Sequence, residues 1–339
     1  TIMCVFFAVA IGGCDTGDRE AAETPGLTER ASSSEDTAGA IDTERLSAIV
    51  KVLASDEFEG RAPGTPGGRK TVQYLIEQFA ALNLEPGGEN GSWVHTVPMI
   101  RTRVQAPAAM AFRVGDAVQA LPQQVAIEAS TVRPVSSVAI DAPVVFVGFG
   151  ASAPERDWDD YGDIDLTGKV ALYLVNDPDF AAEPGEPAAG RFGDRRMTYY
   201  GRWAYKYAEA ARRGALAALV IHETDAAGYG WSVASSSPGE NYAVVRDEAA
   251  AAPLLLQGWL HEKAAANLFA EAGYDFDQLR VQARSPEFAA FQLDDVTFTA
   301  DLSVQVETFQ SSNVLALLPG TARPDEVLMV TSQDRKSVV

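Results

Sequence analysis

Residues 53–67 read LASDEFEGRAPGTPG, and this stretch separates two segments with helical periodicity. Its density of glycine and proline is incompatible with a regular helix or strand, and it predicts a loop of defined shape. From Asp42 to residue 54, apolar residues recur at three- and four-residue spacing, and residues 68–82 repeat that pattern. The sequence therefore predicts a helix, a shaped loop and a second helix in this region.

The residues after the second helix favour short strands. Alternation of apolar and polar residues predicts a strand at 93–103, and short apolar runs predict strands that alternate with two helices further along. These strands are predicted at 144–149, 170–175, 218–222, 253–256, 296–306, 312–320 and 326–332, and the helices at 200–213 and 261–272. We predict an α/β fold in which a β-rich α/β domain, residues 125–290, is inserted between segments 42–124 and 291–332.

Several motifs in this arrangement resemble one family of enzymes. Besides 53–67, they are the segments 148–150, 158–161, 168–170, 209–215, 220–223 and 312–320. Together they resemble M28 zinc metallopeptidases of the aminopeptidase type with an inserted protease-associated domain. The resemblance implies an incomplete zinc-aminopeptidase domain of the phosphorylase/hydrolase-like fold, carrying the protease-associated domain at 125–290. It also implies an enzyme that removes N-terminal residues from peptides.

The same resemblance implies that the metal ligands follow Ser332. In the family, the strand equivalent to 326–332 is followed at once by a His-x-Asp element whose histidine binds zinc, whereas this chain has Gln333 there. The full-length parent is expected to bind two zinc ions, which polarise a carbonyl and activate water. No catalytic or metal-binding residue is assigned in this chain, and the chain by itself is expected to be inactive.

The last seven residues are interpreted as an artefactual tail, 333–339. The stretch Asp334 to Val339 can be encoded by a common sequencing-library adapter, and the adapter's leading base would complete the codon of Gln333. The remaining native bases of that codon also begin histidine codons, so the expected zinc ligand fits this position.

The residues before the first helix predict export. An apolar run at 5–11 suits the core of a signal peptide, and it ends in Ile-Gly-Gly-Cys at residue 14, which resembles a bacterial lipobox. We predict a lipoprotein signal peptide at 1–14, lipidation of Cys14, and a flexible polar tether at 15–41. The expected location is the bacterial cell envelope, with membrane attachment through the N-terminal lipid.

The composition excludes nucleic acid as a partner. The chain has 27 Lys and Arg residues against 47 Asp and Glu residues, and its net charge of −20 would repel a phosphate backbone. Peptides are the expected partners.

The remaining polar and aromatic groups have competing interpretations. His95, His222 and His261 are too widely spaced to indicate a metal site. Acidic stretches at 158–161 and 177–186 are interpreted as solvated loops rather than calcium sites. The aromatic group at 199–207 is interpreted as core packing, with contact to substrate at a cleft as the alternative.

Two other functions stay open at this point. One is a lipid-anchored module that uses the protease-associated domain to bind peptides or proteins without catalysis. The other keeps the enzyme fold but changes the reaction to that of a carboxypeptidase or a glutaminyl cyclase.

Overall fold

A computed structural model of the protein describes residues 42–237, 239–245, 254–323 and 326–332. The architecture is mixed α/β, as the sequence predicts. The predicted signal peptide, the tether, Cys14 and the tail at 333–339 lie outside the described residues and stay predictions. In the described part of the chain, no helix has both the length and the apolar character needed to cross a bilayer.

The first unit is a pair of helices joined by the glycine- and proline-rich loop. Helix α1 spans Thr43–Leu53, and the Asp42 carboxylate caps it by accepting hydrogen bonds from two backbone N–H groups at 3.0 Å. Helix α2 spans Pro66–Ala81. Both predicted helices are confirmed, but the loop between them also contains a 3₁₀ helix, Asp56–Arg61, that the sequence pattern does not predict.

Backbone geometry explains the unusual composition of this loop. Glu59, Gly60 and Arg61 have φ angles of 50°, 72° and 59°, in the left-handed region that residues with a side chain rarely adopt. Gly67 lies so close to Phe58 that a Cβ atom there would be 2.0 Å from the Phe58 carbonyl oxygen. Glycine is therefore required where α2 begins.

One long strand connects this unit to the rest of the molecule. Strand β13 spans Phe291–Val314, so it contains the strand predicted at 296–306 and only the first three residues of the one predicted at 312–320. Strands β2, Val94–Val104, and β3, Ala109–Val114, both run antiparallel to it along the same side. After β13, the two-residue strand β14, Ala316–Leu317, pairs with β1, Glu85–Pro86.

The remaining strands and helices complete a large sheet and its covering layers. They are β4 Ala117–Ala120, β5 Ile127–Ser130, β6 Ser137–Phe146, β7 Ser152–Ala153, β8 Trp158–Asp159, β9 Val170–Leu174, α3 Trp203–Arg212, β10 Ala217–His222, α4 Thr224–Ala227, α5 Trp231–Ala234, β11 Glu240–Val244, β12 Leu256–His261, α6 Glu262–Glu271 and α7 Phe276–Gln282.

The order of strands in the large sheet is β11-β2-β13-β6-β9-β10-β12-β5, with β3 and β4 attached beside β13. Strands β6, β9, β10 and β12 are parallel to one another. Strands β9 and β10 are buried at every position, as expected for parallel strands that are covered on both faces.

Aromatic and aliphatic side chains fill both sides of the sheet. On one side, Phe146 meets Phe269 of α6 at 5.3 Å between ring centroids, and Phe112 of β3 meets Phe298 of β13 at 5.5 Å. On the other side, Tyr207 of α3 belongs to the buried cluster. The first cluster draws residues from both sides of the predicted boundaries at 125 and 290, and those boundaries stay a prediction.

Other predicted strands also need correction. The strand predicted at 144–149 lies at Ser137–Phe146. The strand predicted at 253–256 lies at Leu256–His261, where it pairs with β5 and β10. The strand predicted at 326–332 is wrong, because those described residues form no strand. Its apolar residues, Val327 to Val330, are 77 to 91% exposed. A β-prone sequence forms a strand only where a neighbouring strand pairs with it.

Side chains bridge the first and last strands of the sheet. The Glu128 carboxylate on β5 accepts a hydrogen bond from the backbone N–H of Gly239, just before β11, at 2.7 Å. Asn241 of β11 donates to Ser130 of β5 at 3.2 Å, and Thr102 of β2 donates to the Thr131 carbonyl. The sheet therefore curls until its ends are joined by polar contacts instead of by a strand ladder.

The buried carboxyl group of Glu128 makes the stability of the folded protein depend on pH. Burial raises the pKa of Glu128 from 4.5 to about 7, against the opposing effect of the Gly239 N–H and the Gln123 amide. Its second oxygen is buried, with no hydrogen-bond partner among the described residues. The folded state therefore binds a proton more tightly than the unfolded state.

We predict that Glu128→Gln reduces the pH dependence of stability. Because the folded-state pKa is raised, the stabilising effect of protonation is complete below about pH 4.5 and disappears as the pH rises through about 7, at a cost of up to about 3 kcal/mol. Thermal unfolding at pH 5 and at pH 8 should show a smaller loss of Tm with pH in Glu128→Gln than in the wild type.

The matched control is Glu287→Gln, which removes the charge of an exposed glutamate. It should keep the wild-type pH dependence. Equal pH dependence in the wild type and Glu128→Gln would show that the Glu128 carboxylate is not buried as described.

Candidate functional site

The carboxyl ends of the parallel strands meet at one edge of the sheet, which we call the carboxyl edge. Strands β6, β9, β10 and β12 end there at Phe146, Leu174, His222 and His261. In open α/β sheets, ligands bind outside this edge. The loops that follow these strands hold three of the six buried Asp, Glu and Lys residues of the described chain, Asp160, Asp177 and Asp179.

Two buried carboxylates organise the loops at this edge. The oxygens of Asp160 accept hydrogen bonds from the Ala151 N–H at 2.8 Å and the Trp158 indole at 2.7 Å. Asp177 accepts hydrogen bonds from the backbone N–H and the hydroxyl of Thr198. Burial raises the pKa of both aspartates, that of Asp160 to about 7.

Asp179 has a similar role in the acidic stretch 177–186. One of its oxygens accepts hydrogen bonds from the N–H groups of Phe192 at 2.7 Å and Asp194 at 3.0 Å. This carboxylate is directed at backbone N–H groups of its own loop, which is an arrangement for shaping the loop.

A buried lysine lies among these loops. Lys206 of α3 is fully buried, and its ammonium donates to the carbonyl oxygens of Phe149, Asn176 and Tyr200. Burial lowers the pKa of Lys206 to about 8, and the charges of Asp177 and Asp160 act in the opposite direction. The group therefore stays mainly protonated at neutral pH. Sequence reasoning missed this residue, although a lysine between Tyr205 and Tyr207 on a predicted helix was a possible signal.

Two of the three histidines come together at the other part of the edge. His222 and His261 are register partners on β10 and β12, and the Trp231 ring contacts both, at 5.6 and 4.9 Å between centroids. His222 is buried, its Nε2 has no hydrogen-bond partner in the described ranges, and burial lowers its pKa. The Nδ1 of His261 accepts a hydrogen bond from the Lys263 N–H and caps α6.

The third histidine lies apart from the other two, and the described residues form no metal site. His95 lies on β2, opposite Asn313 and 3.6 Å from Glu89. Among the described residues, no group of three or more His, Cys, Asp and Glu side chains could hold a metal ion. A zinc site needs three or four such ligands, so the described residues do not fit the two zinc ions that the resemblance implies.

The aromatic group at 199–207 divides into an exposed and a buried part. Tyr205 and Tyr207 are each 7% exposed and belong to the packed interior, whereas Tyr199 is 59% and Trp203 37% exposed. The rings of Tyr199, Tyr200 and Tyr205 contact one another at 5.0 to 5.8 Å. We call Tyr199, Tyr200 and Trp203 the aromatic rim, because only this part can meet a ligand.

Two solved structures of aminopeptidases align with most of this chain, at low identity and low TM-score. An aminopeptidase from Aneurinibacillus sp. strain AM-1 aligns with 83% of this chain and 49% of its own, at 20% identity and a TM-score of 0.39. BSAP, a zinc aminopeptidase from Bacillus subtilis, aligns with 80% of this chain and 45% of its own, at 13% identity and a TM-score of 0.31. This chain thus spans about half the length of these proteins.

At such low identity and TM-score, these likenesses assign no activity or residue role to this chain. No family model matches the chain, and no curated protein matches it.

We predict that a substitution in the packed interior lowers the free energy of unfolding more than a substitution in the aromatic rim. Tyr205→Ala removes a buried ring whose hydroxyl accepts a hydrogen bond from the Ser152 N–H at 3.1 Å, so it should lower the free energy of unfolding by about 3 kcal/mol or more. Tyr199→Ala removes an exposed ring and should cost under about 1 kcal/mol. Urea unfolding of both variants measures these free energies. Equal losses in the two variants would contradict the division of the aromatic group into an exposed and a buried part.

Proposed function

We propose that this chain is part of a zinc-dependent aminopeptidase of the bacterial cell envelope, and that the described residues are its scaffold and not its metal centre. The observation that supports this most directly is the fit between the family-like motif at 53–67 and the geometry of that loop. The left-handed residues 59–61 and the close approach of Gly67 to Phe58 give the unusual residues of the motif a structural reason.

The acidic residues of this loop support a structural role over acid–base chemistry. Glu57 and Glu59 are exposed. Lys70 of α2 donates to the Glu57 carbonyl at 3.0 Å and lies 3.7 Å from its carboxylate. General acids and bases need a side chain positioned beside a reacting group, whereas these two glutamates point into solvent on an exposed loop.

Under this proposal, the zinc ligands belong to residues that follow Ser332 in the gene. The described residues offer no group of metal ligands, and no catalytic step is assigned to them. Apolar side chains of α1, such as Leu46 and Val50, are more than half exposed. These surfaces suit a part of the protein that packs against further structure.

We predict that the 339-residue chain, supplied with zinc, does not hydrolyse aminoacyl p-nitroanilides. The same chain with Gln333 to Val339 replaced by the coding sequence that follows Ser332 in the gene should hydrolyse them, and a zinc chelator should abolish that activity. Turnover by the 339-residue chain, or no turnover by the extended protein, would contradict the proposal.

A non-catalytic binding module is the second candidate, and the exposed rings of the aromatic rim favour it. Exposed tyrosine and tryptophan are common anchors in binding sites. This function requires that the 339-residue chain binds peptides without metal, and that Tyr199→Ala weakens binding while folding is kept. Calorimetric titration with short peptides tests it, and binding that is unchanged in Tyr199→Ala would place the contact elsewhere.

The envelope location rests on Cys14, which lies outside the described residues. We predict that labelled palmitate is incorporated when the chain is expressed in bacterial cells behind an initiator methionine and a short basic leader. Cys14→Ser should abolish the label, and Cys4→Ser, at the other cysteine of the chain, should keep it. A label that survives in Cys14→Ser would exclude lipidation at this residue.

A further inference from the structure

The ammonium of Lys206 lies where three separate segments of backbone converge. Phe149 follows β6, Asn176 follows β9, and Tyr200 precedes α3, and each directs a carbonyl oxygen at Nζ. The contact with Asn176 measures 3.1 Å and the contact with Tyr200 measures 3.3 Å. An ammonium has three N–H donors, so these three carbonyls match its donor capacity.

This arrangement resembles the surroundings of a bound cation more than those of an ion pair. The three direct contacts are carbonyl oxygens, and the carboxyl groups of Asp177 and Asp160 are nearby. Backbone carbonyls combined with carboxylates are the usual ligands of hard cations in proteins. In this molecule the cation is covalently attached to α3.

The segments that meet at Lys206 also contact one another closely. The Asn176 N–H donates to the Gly201 carbonyl at 3.2 Å. A Cβ atom on Gly201 would lie 2.9 Å from the Asp177 carboxylate carbon, so glycine is required for this approach. The aromatic rim includes Tyr200 and its neighbour Tyr199, which directly precede Gly201, and its position therefore depends on this junction.

We propose that Lys206 is a positioning residue whose ammonium fills a carbonyl-lined cation site and thereby holds the aromatic rim in place. Removal of the side chain should leave a site for a free cation of the same chemistry, a primary alkylammonium ion. An uncharged side chain of similar length should fill the space without holding the three carbonyls.

The test uses the near-ultraviolet circular dichroism of the 339-residue chain. Tyr199, Tyr200 and Tyr205 form one ring cluster, so the part of the signal that is lost in Tyr199→Ala reports the rim. Lys206→Met should lose that part and should have a lower Tm than the wild type. Lys263→Ala, at an exposed lysine on α6, is the control and should keep both the signal and the Tm.

Chemical rescue distinguishes the effect of the Lys206 charge from that of the space its side chain fills. In Lys206→Ala, n-propylammonium chloride should restore at least half of the lost rim signal and raise the Tm. The neutral alcohol n-propanol should do neither, and sodium chloride at the same ionic strength controls for screening. A wild-type rim signal in Lys206→Met, or equal rescue by propanol, would overturn the proposal.

A measurement on the wild-type protein keeps the proposal testable if the Lys206 variants do not fold. Reductive methylation followed by peptide mass spectrometry should modify Lys263 at least tenfold faster than Lys206. Similar methylation rates at the two lysines would show that Lys206 is not held in the carbonyl-lined site. Circular dichroism, Tm and methylation rate do not depend on peptide turnover, so failure of the peptidase proposal would leave these results unchanged.

Discussion

Strand β13 is the constraint on which both parts of the described chain depend. At about 3.3 Å per residue, its 24 residues span about 80 Å, far more than an ordinary strand. Its first half is a central strand, with β3 on one side and β6 on the other, and its side chains alternate between buried and exposed. Its second half pairs with β2 on one side and with no described strand on the other, and most of its residues are exposed.

The shaped loop between α1 and α2 lies on this exposed half. A Cβ atom on Gly64 would be 2.5 Å from the Phe309 ring, so the loop backbone rests directly on β13. The helical unit thus packs on the exposed half of the strand whose first half lies within the large sheet. The helical unit is held against the sheet by this contact between the Gly64 backbone and the Phe309 side chain.

The sequence predicts the elements with a strong local pattern and misses those defined by distant contacts. Helices α1, α2 and α3 are predicted because apolar residues repeat at helical spacing, and β9 and β10 because short apolar runs suit buried parallel strands. Strands β4 and β5, of four residues each, are too short for a clear period. The sequence analysis also does not predict β3, although its six residues equal the length of β10. The second half of β13 is exposed on both faces, so its polar residues conceal its continuity with the first half. Lys206 was missed for a related reason, because the three carbonyls around it come from different segments of the chain.

The buried charges limit what the carboxyl edge can do chemically. A group that transfers protons must reach a reacting atom, yet Asp160 and Lys206 are sealed from solvent and engaged by backbone or indole partners. Isolated buried charges destabilise a fold, so they are tolerated where such partners compensate them, and here they fix the shape of the loops. The aromatic rim lies at this edge among exposed charged residues such as Arg195 and Arg202, and its rings supply contact area and orientation. A catalytic centre that used this edge would therefore not take Asp160 or Lys206 for proton transfer, and the aromatic rim would offer it a contact surface.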